Sequence, residues 1–212
     1  MTDAPTISTA RDTPKSVRTR ARILDCALRL FAEIGYGEAT NARIAEEAGL
    51  TRGAMLYHFP SREALVEAAA EHIHAARTAL MARDSGRPPP GVDHAEWAID
   101  VYWSLLGEAP FLAFAELEAV ARTNPQIAAL VDPYREAFDR AQVGDQALGL
   151  FSAGAGARFQ ASRDLARFML EGMARSGLTY DADERVQRLL AVIKRATHML
   201  NRKGGVQDIW PE

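Results

Sequence analysis

Thr40, Gly49, Thr51 and Pro60 set the tightest limit on what this chain can fold into. A Thr side chain caps the start of a helix by accepting a hydrogen bond from an amide in its first turn. A Gly supplies the left-handed residue that closes one. Thr40 therefore opens a short helix running through Ala48, with Ile44 and Ala45 inward, and Gly49 ends it. Only Leu50 precedes the next cap, Thr51, and Leu50 and Met55 have the spacing of a hydrophobic staple across the start of a further helix. Phe59 stands before Pro60, which pushes it out of the helical region and stops that helix. Two brief helices joined by a tight Gly turn are the expected result.

The flanks also read as helix. Residues 1–13 are rich in Thr, Ser, Ala and Pro and are expected to form a flexible arm. Thr13 and Pro14 then open a first helix, whose apolar stripe is Ile23, Ala27, Leu30, Phe31 and Ile34 until Gly35 stops it. Cys26 falls in the same stripe as a small buried residue. Ser61 recaps at once, and a long fourth helix follows through Leu65, Ala69, Ile73, Ala76 and Leu80 to the breaker beginning at Asp84. Helical patterns continue around Trp97, Val101 and Trp103, from Pro110, and from Asn124 and Pro125, with Asp132 and Pro133 marking a kink or restart. Residues 144–159 fit either a frayed helix end or a Gly-rich connection. Two amphipathic helices finish the chain, one carrying Leu165, Phe168, Met169, Gly172, Met173 and Ser176, the other Val186, Leu189, Leu190, Ile193, Thr197 and Leu200. No strand alternation appears, so the expected class is all-α.

The formal charge of the 212 residues is -3, which gives no global basic signature, so any attraction to nucleic acid must be local. It is local here. No acidic residue lies between Glu47 and Glu63, whereas Arg52, His58 and Arg62 do, and Lys15, Arg18, Arg20 and Arg22 form a second basic cluster. Counterion-release binding needs such a cleared face. The pair of short helices has the proportions of a helix-turn-helix, whose second helix enters the major groove. Thr51, Arg52, Tyr57 and His58 are donors of suitable length, and Gly53 and Ala54 leave room for the sugar-phosphate wall. A single Cys argues for a reducing compartment and against a multi-cysteine metal site. With neither an apolar leader nor a membrane-length apolar run, a cytoplasmic protein without membrane contact is expected.

The string from Arg20 to Ala68 resembles the DNA-binding region of the TetR family of transcriptional regulators, through Phe31, Gly35, Tyr36, Thr40, Ile44, Ala45, Ala48, Gly49, Gly53, His58, Phe59, Ser61, Glu63 and Leu65. The resemblance implies an N-terminal helix-turn-helix DNA-binding domain over 14–60 and a C-terminal helical effector-binding and dimerisation domain over 61–212. It implies DNA contact by Thr40, Asn41, Thr51, Arg52, Gly53, Ala54, Tyr57 and His58. Leu56 stands where many members carry a phosphate-contacting Tyr, and Arg62 replaces the usual Lys at the start of the fourth helix, where an Arg can also hold a phosphate. It further implies a ligand-responsive regulator, most simply a repressor. Its partners are a palindromic double-stranded operator, a small-molecule effector and a second copy of the chain, the homodimer being built by the last two helices.

Candidate interface residues are Phe168, Met169, Gly172, Met173, Ser176, Leu189, Leu190, Ile193 and Thr197. Candidate effector-lining residues are Trp97, Tyr102, Trp103, Phe111, Phe114, Glu118, Phe138 and Phe168, although Glu118 also has the spacing of a surface pair with Arg122. The rival reading is a helical small-molecule-binding protein or enzyme whose hairpin near residue 50 is only structural. No catalytic residues, cofactor or metal are expected. Glu67, Glu71 and His74 share a helix face, but a di-iron bundle needs a second Glu-x-x-His pair. The Gly-rich stretch from Gly154 lacks the strand that a phosphate loop follows.

Overall fold

The computed structural model describes residues 13–84, 88–142 and 157–201. The expected arm before Thr13 and most of the ambiguous 144–159 stretch lie outside the described residues. Among those described there are nine helices and no strand. They are α1 (Pro14–Glu38), α2 (Asn41–Glu47), α3 (Arg52–His58), α4 (Arg62–Asp84), α5 (His94–Leu106), α6 (Ala109–Ala121), α7 (Pro125–Arg140), α8 (Ala157–Ser176) and α9 (Ala182–Asn201).

Capping chemistry places the N-terminal helices. The hydroxyl oxygens of Thr13, Thr40 and Thr51 accept from the amides of Ser16, Arg43 and Ala54, three residues on in each case. Ser61 does the same for Ala64. Gly49 closes α2 at φ 63°, where an L side chain is strained. Asn124 caps α7 through the amides of Gln126 and Ile127, and Pro133 is carried inside that helix without a restart.

Two cores hold these helices. The first is built from Ile23, Cys26, Ala27 and Phe31 of α1, Ile44 and Ala45 of α2, Met55 of α3, Phe59, the first half of α4, and Phe114, Leu117, Ile127 and Val131 of α6 and α7. The helix-turn-helix thus shares one apolar interior with α6 and α7, continuous across the 60/61 boundary. The second core gathers Met81, Ile99, Tyr102, Leu105, Phe111, Phe138, Leu170, Leu190 and Ile193 from α4 to α9.

Two stripes differ from expectation. Ile34 is 38% exposed, although Phe31 in the turn before it is fully buried. On α4 the buried residues after Ile73 are Arg77 and Met81, while Ala76 and Leu80 are only half-buried. Steps of four drift by roughly 40° each around a helix of 3.6 residues per turn, so the row Leu65, Ala69, Ile73, Arg77, Met81 wraps around α4. Leu65, Ala69 and Ile73 lie in the first core with α1, α6 and α7, and Met81 lies in the second with α5. A charged residue is carried inside by that wrap.

Next to it, the His74 ring lies 5.5 Å from Tyr134 and 6.5 Å from Phe138. Burial and the Arg77 charge hold its pKa below the ordinary value near 6.5. The native state therefore binds fewer protons than the unfolded chain just beneath that pH, so His74 takes stability away as pH falls through the window. His74→Gln is expected to flatten the dependence of melting temperature on pH, relative to the parent, as pH falls below about 6.5. Parallel melting curves for the two proteins would contradict this.

Candidate nucleic-acid interface

The third helix has one buried edge and one open edge. Met55 is 1% exposed and the following Phe59 is fully buried, which fixes α3 to the first core. On the other side Arg52 and Gly53 are exposed, Tyr57 is 73% exposed and Ala54 is half-buried. His58 is half-buried, with its ring edge-on to Tyr57 at 5.2 Å. The hydroxyls of Thr40 and Thr51, both on exposed residues, accept their capping bonds and still hold a proton to donate outward. Leu56 is 41% exposed, an apolar side chain in the position noted for a Tyr, beside the open Tyr57. Two acids of the preceding helices are paired: Glu47 with Arg29 at 2.7 Å and Glu38 with Arg43 at 3.3 Å.

Arg20 is a positioning residue that its membership of a basic cluster did not reveal. Its Nη1 donates to the carbonyl of His58 at 2.9 Å and its guanidinium lies 4.2 Å above the Phe59 ring. The first helix thereby holds the last carbonyl of the third. Nothing in the local pattern around Arg20 marks it out from Arg18 or Arg22.

Arg62 stands differently from its expected phosphate role. Its Nη1 donates to the carbonyl of Ala39 at 2.8 Å and to Oδ1 of Asn41 at 3.1 Å, and its Nη2 to the carbonyl of Tyr36 at 3.0 Å. The guanidinium also lies 4.5 Å from the Tyr36 ring centroid and 5.4 Å from that of Phe31. A planar fork with several donors suits this geometry, and an ammonium does not. The side chain faces inward and ties the first turn of α4 to the α1–α2 junction. Asn41 is half-buried, with its side-chain oxygen engaged by that fork.

The same junction is held from α6. Gly35 has φ 78° and ψ 163°, outside the helical region, and this turns the chain so that the Tyr36 amide donates to Oε2 of Glu116 at 3.3 Å. A Cβ at Gly35 would lie 2.9 Å from that oxygen. One peptide neighbourhood is gripped by Arg62 on its carbonyl side and by Glu116 on its amide side.

Farther from α3, the candidate effector-lining residues divide. Tyr102, Phe111, Phe114 and Phe138 are buried together around Arg77, whereas Trp97 and Trp103 are half-buried at the margin of the second core. Phe168 is 60% exposed and stays outside that interior. Glu118 does not pair with Arg122: its Oε2 accepts from Arg175 of α8 at 2.5 Å, and burial raises its pKa. Tyr102 donates its hydroxyl to Glu171 at 2.7 Å.

The proposed intersubunit residues divide too. Phe168, Met169, Gly172, Ser176 and Leu189 face outward, Met173 is half-buried, and Leu190, Ile193 and Thr197 are buried within their own chain. One apolar stripe on α9 serves the second core. A separate open face is completed by Leu165, Val192 and Met199, which are 48, 54 and 56% exposed.

Comparison with known proteins agrees with this geometry. Residues 23–69 match the family model described as bacterial regulatory proteins, tetR family. The chain is 41% identical over 64 residues to the HTH-type transcriptional regulator TtgR of Pseudomonas putida, a match covering 30% of each protein. It is 30% identical over 115 residues to the HTH-type transcriptional regulator UidR of Escherichia coli, covering 53% of this chain and 57% of UidR. The chain thus matches between about a third and somewhat over half of the length of these curated relatives. The fold extends further: Salmonella enterica GusR superposes with a TM-score of 0.58 at 21% identity, over 90% of this chain and 98% of that one. Among the described residues no helix is long and apolar enough to cross a membrane.

Proposed function

We propose that this chain, whose residues 23–69 match the model of the tetR family of bacterial regulatory proteins, is a ligand-responsive, DNA-binding transcriptional repressor acting in the cytoplasm as a homodimer on a palindromic operator. One observation carries the reading. The only basic and aromatic side chains of α3 that are fully open, Arg52 and Tyr57, project from a short helix whose opposite edge is locked into the core by Met55 and backed by Phe59. A rigid helix with an open cationic edge can lie along a groove without reorganising.

In this reading Arg52, Tyr57 and the Thr51 hydroxyl reach base edges or phosphates, Gly53 and Ala54 allow close approach, and Thr40 and Asn41 flank them from α2. Arg20 and Arg62 act through the helices they hold. Two such edges, presented about one helical turn of DNA apart by paired α8 and α9 helices, combine two modest contacts into one specific one. An effector bound among α4 to α8 shifts α4, and Arg62 transmits that shift to the α1–α2 junction.

The test is a fluorescence-anisotropy titration against the intergenic DNA beside the gene itself, at several salt concentrations. Specific binding is expected with affinity falling steeply as salt rises. Arg52→Ala and Tyr57→Ala should each weaken it by about tenfold or more, corresponding to roughly 1–3 kcal/mol per base-reading contact, with the melting temperature unchanged. Equal binding by both variants and the parent would return the hairpin to a structural role in a helical carrier or enzyme.

A further inference from the structure

Arg77 is a charge that the fold buries and leaves short of partners. It is 6% exposed, in the middle of α4. Its guanidinium lies 3.9 Å from the ring centroids of both Phe114 and Phe138, with Phe111 at 5.3 Å. Rings interact with the face of a guanidinium, whereas its N–H groups point outward in the plane and need acceptors. Two of its nitrogens, Nε and Nη1, are buried with no hydrogen-bond partner among the described residues. Desolvation is the largest influence on the group and pulls its pKa down to about 10.

The carboxylates close enough to act on Arg77 are engaged elsewhere. Glu118 holds Arg175 at 2.5 Å. Glu171 accepts the Tyr102 hydroxyl at 2.7 Å and lies 3.9 Å from Arg167 and 4.0 Å from Arg175. Arg167 in turn reaches Asp139 at 2.7 Å. Each acid of this interior has a close donor, and the group without a direct counter-ion is a cation. An uncompensated buried charge is costly to a fold, and an apolar residue of similar volume would relieve that cost. Its retention at the meeting point of the two cores, beside three phenyl rings, suits a group that waits for an anion.

We infer that Arg77 is the anion-binding group of the effector site, and that the effector is an organic carboxylate on a flat apolar body. The carboxylate accepts from the unpaired N–H groups and the body packs against Phe111, Phe114 and Phe138. Arg77 and Arg62 share one helix, roughly 22 Å apart at 1.5 Å per residue, so a pull on the first is delivered to the second. The inference rests on the reading of the chain as a ligand-responsive protein.

Thermal unfolding of the full chain, without DNA, in 1-naphthoate and in 1-naphthylmethylamine tests it. These probes share a ring system and differ in the sign of their charge. Naphthoate is expected to raise the melting temperature by about 5 °C or more at a hundredfold excess over its dissociation constant, and the amine to leave it unchanged. Arg77→Met should abolish the naphthoate shift, and Arg77→Lys should keep a reduced one. Three results overturn the inference: no shift with naphthoate, an equal or larger shift with the amine, or a naphthoate shift that survives in Arg77→Met. The comparison of the two probes on the parent protein decides the sign of charge even where a variant fails to fold. Since DNA is absent from the assay, a failure to bind an operator would sink the regulator reading separately and leave this result standing.

Discussion

Phe168→Asp combined with Val192→Asp is expected to convert the protein to a monomer in sedimentation velocity and to lower operator affinity by about a hundredfold or more, with helical content unchanged. Phe168 and Val192 are 60% and 54% exposed on α8 and α9, two helices that pack on each other. Around them Leu165, Met169, Leu189 and Met199 add further open apolar surface, and Gly172 leaves room for a neighbouring backbone, with nothing within 4 Å of where its Cβ would stand. Large apolar side chains left open together on two packed helices mark an interaction surface. Carboxylates placed on it repel across a two-fold interface, where each residue meets its counterpart's surroundings. Neither side chain belongs to the inner cores, so folding of the single chain is spared. A parent protein that sediments as a monomer, or a double variant that remains dimeric, would refute the assignment.

Arg62→Met is expected to lower stability by about 2–4 kcal/mol and to weaken operator binding, while leaving the slope of log affinity against log salt unaltered. The side chain donates to three oxygens that no other side chain among the described residues is seen to reach, and its removal loosens the α1–α2 junction. A phosphate contact would behave in the opposite way, losing about one unit of salt slope with little change in stability. Urea unfolding together with a salt series distinguishes the two. Arg62→Lys should recover little stability, because one ammonium cannot span the carbonyls of Tyr36 and Ala39 and the Asn41 side chain together.

The legible parts of this chain were those written in local rules. Thr40, Thr51, Asn124 and Gly49 act within four residues of themselves, and the structure shows them doing so. The open edge of α3 was readable because a seven-residue helix has few ways to bury Met55 and must then expose Arg52 and Tyr57. What sequence could not convey depends on partners far along the chain. Arg62 looks like any first-turn cation until Tyr36 and Ala39 are seen around it. Glu118 reads as a surface pair with Arg122 until α8 brings Arg175 alongside. Arg77 was hidden for a geometric reason: a stripe read with a single step of three after Ile73 places Ala76 and Leu80 inward, whereas the buried row continues in steps of four to Arg77 and Met81. Leu190 and Ile193, candidates for the intersubunit interface, are buried within their own chain, and one amphipathic pattern does not distinguish a helix's own core from a second subunit.

The turn at Gly35 bears on how such proteins can be recombined. Because Glu116 reaches back to the Tyr36 amide, the natural seam for transplanting the reading head does not fall between residues 60 and 61. A chimera that takes residues 13–62 onto a foreign body must bring a carboxylate at the position of Glu116, or the grafted head will sit on its new host without a fixed heading.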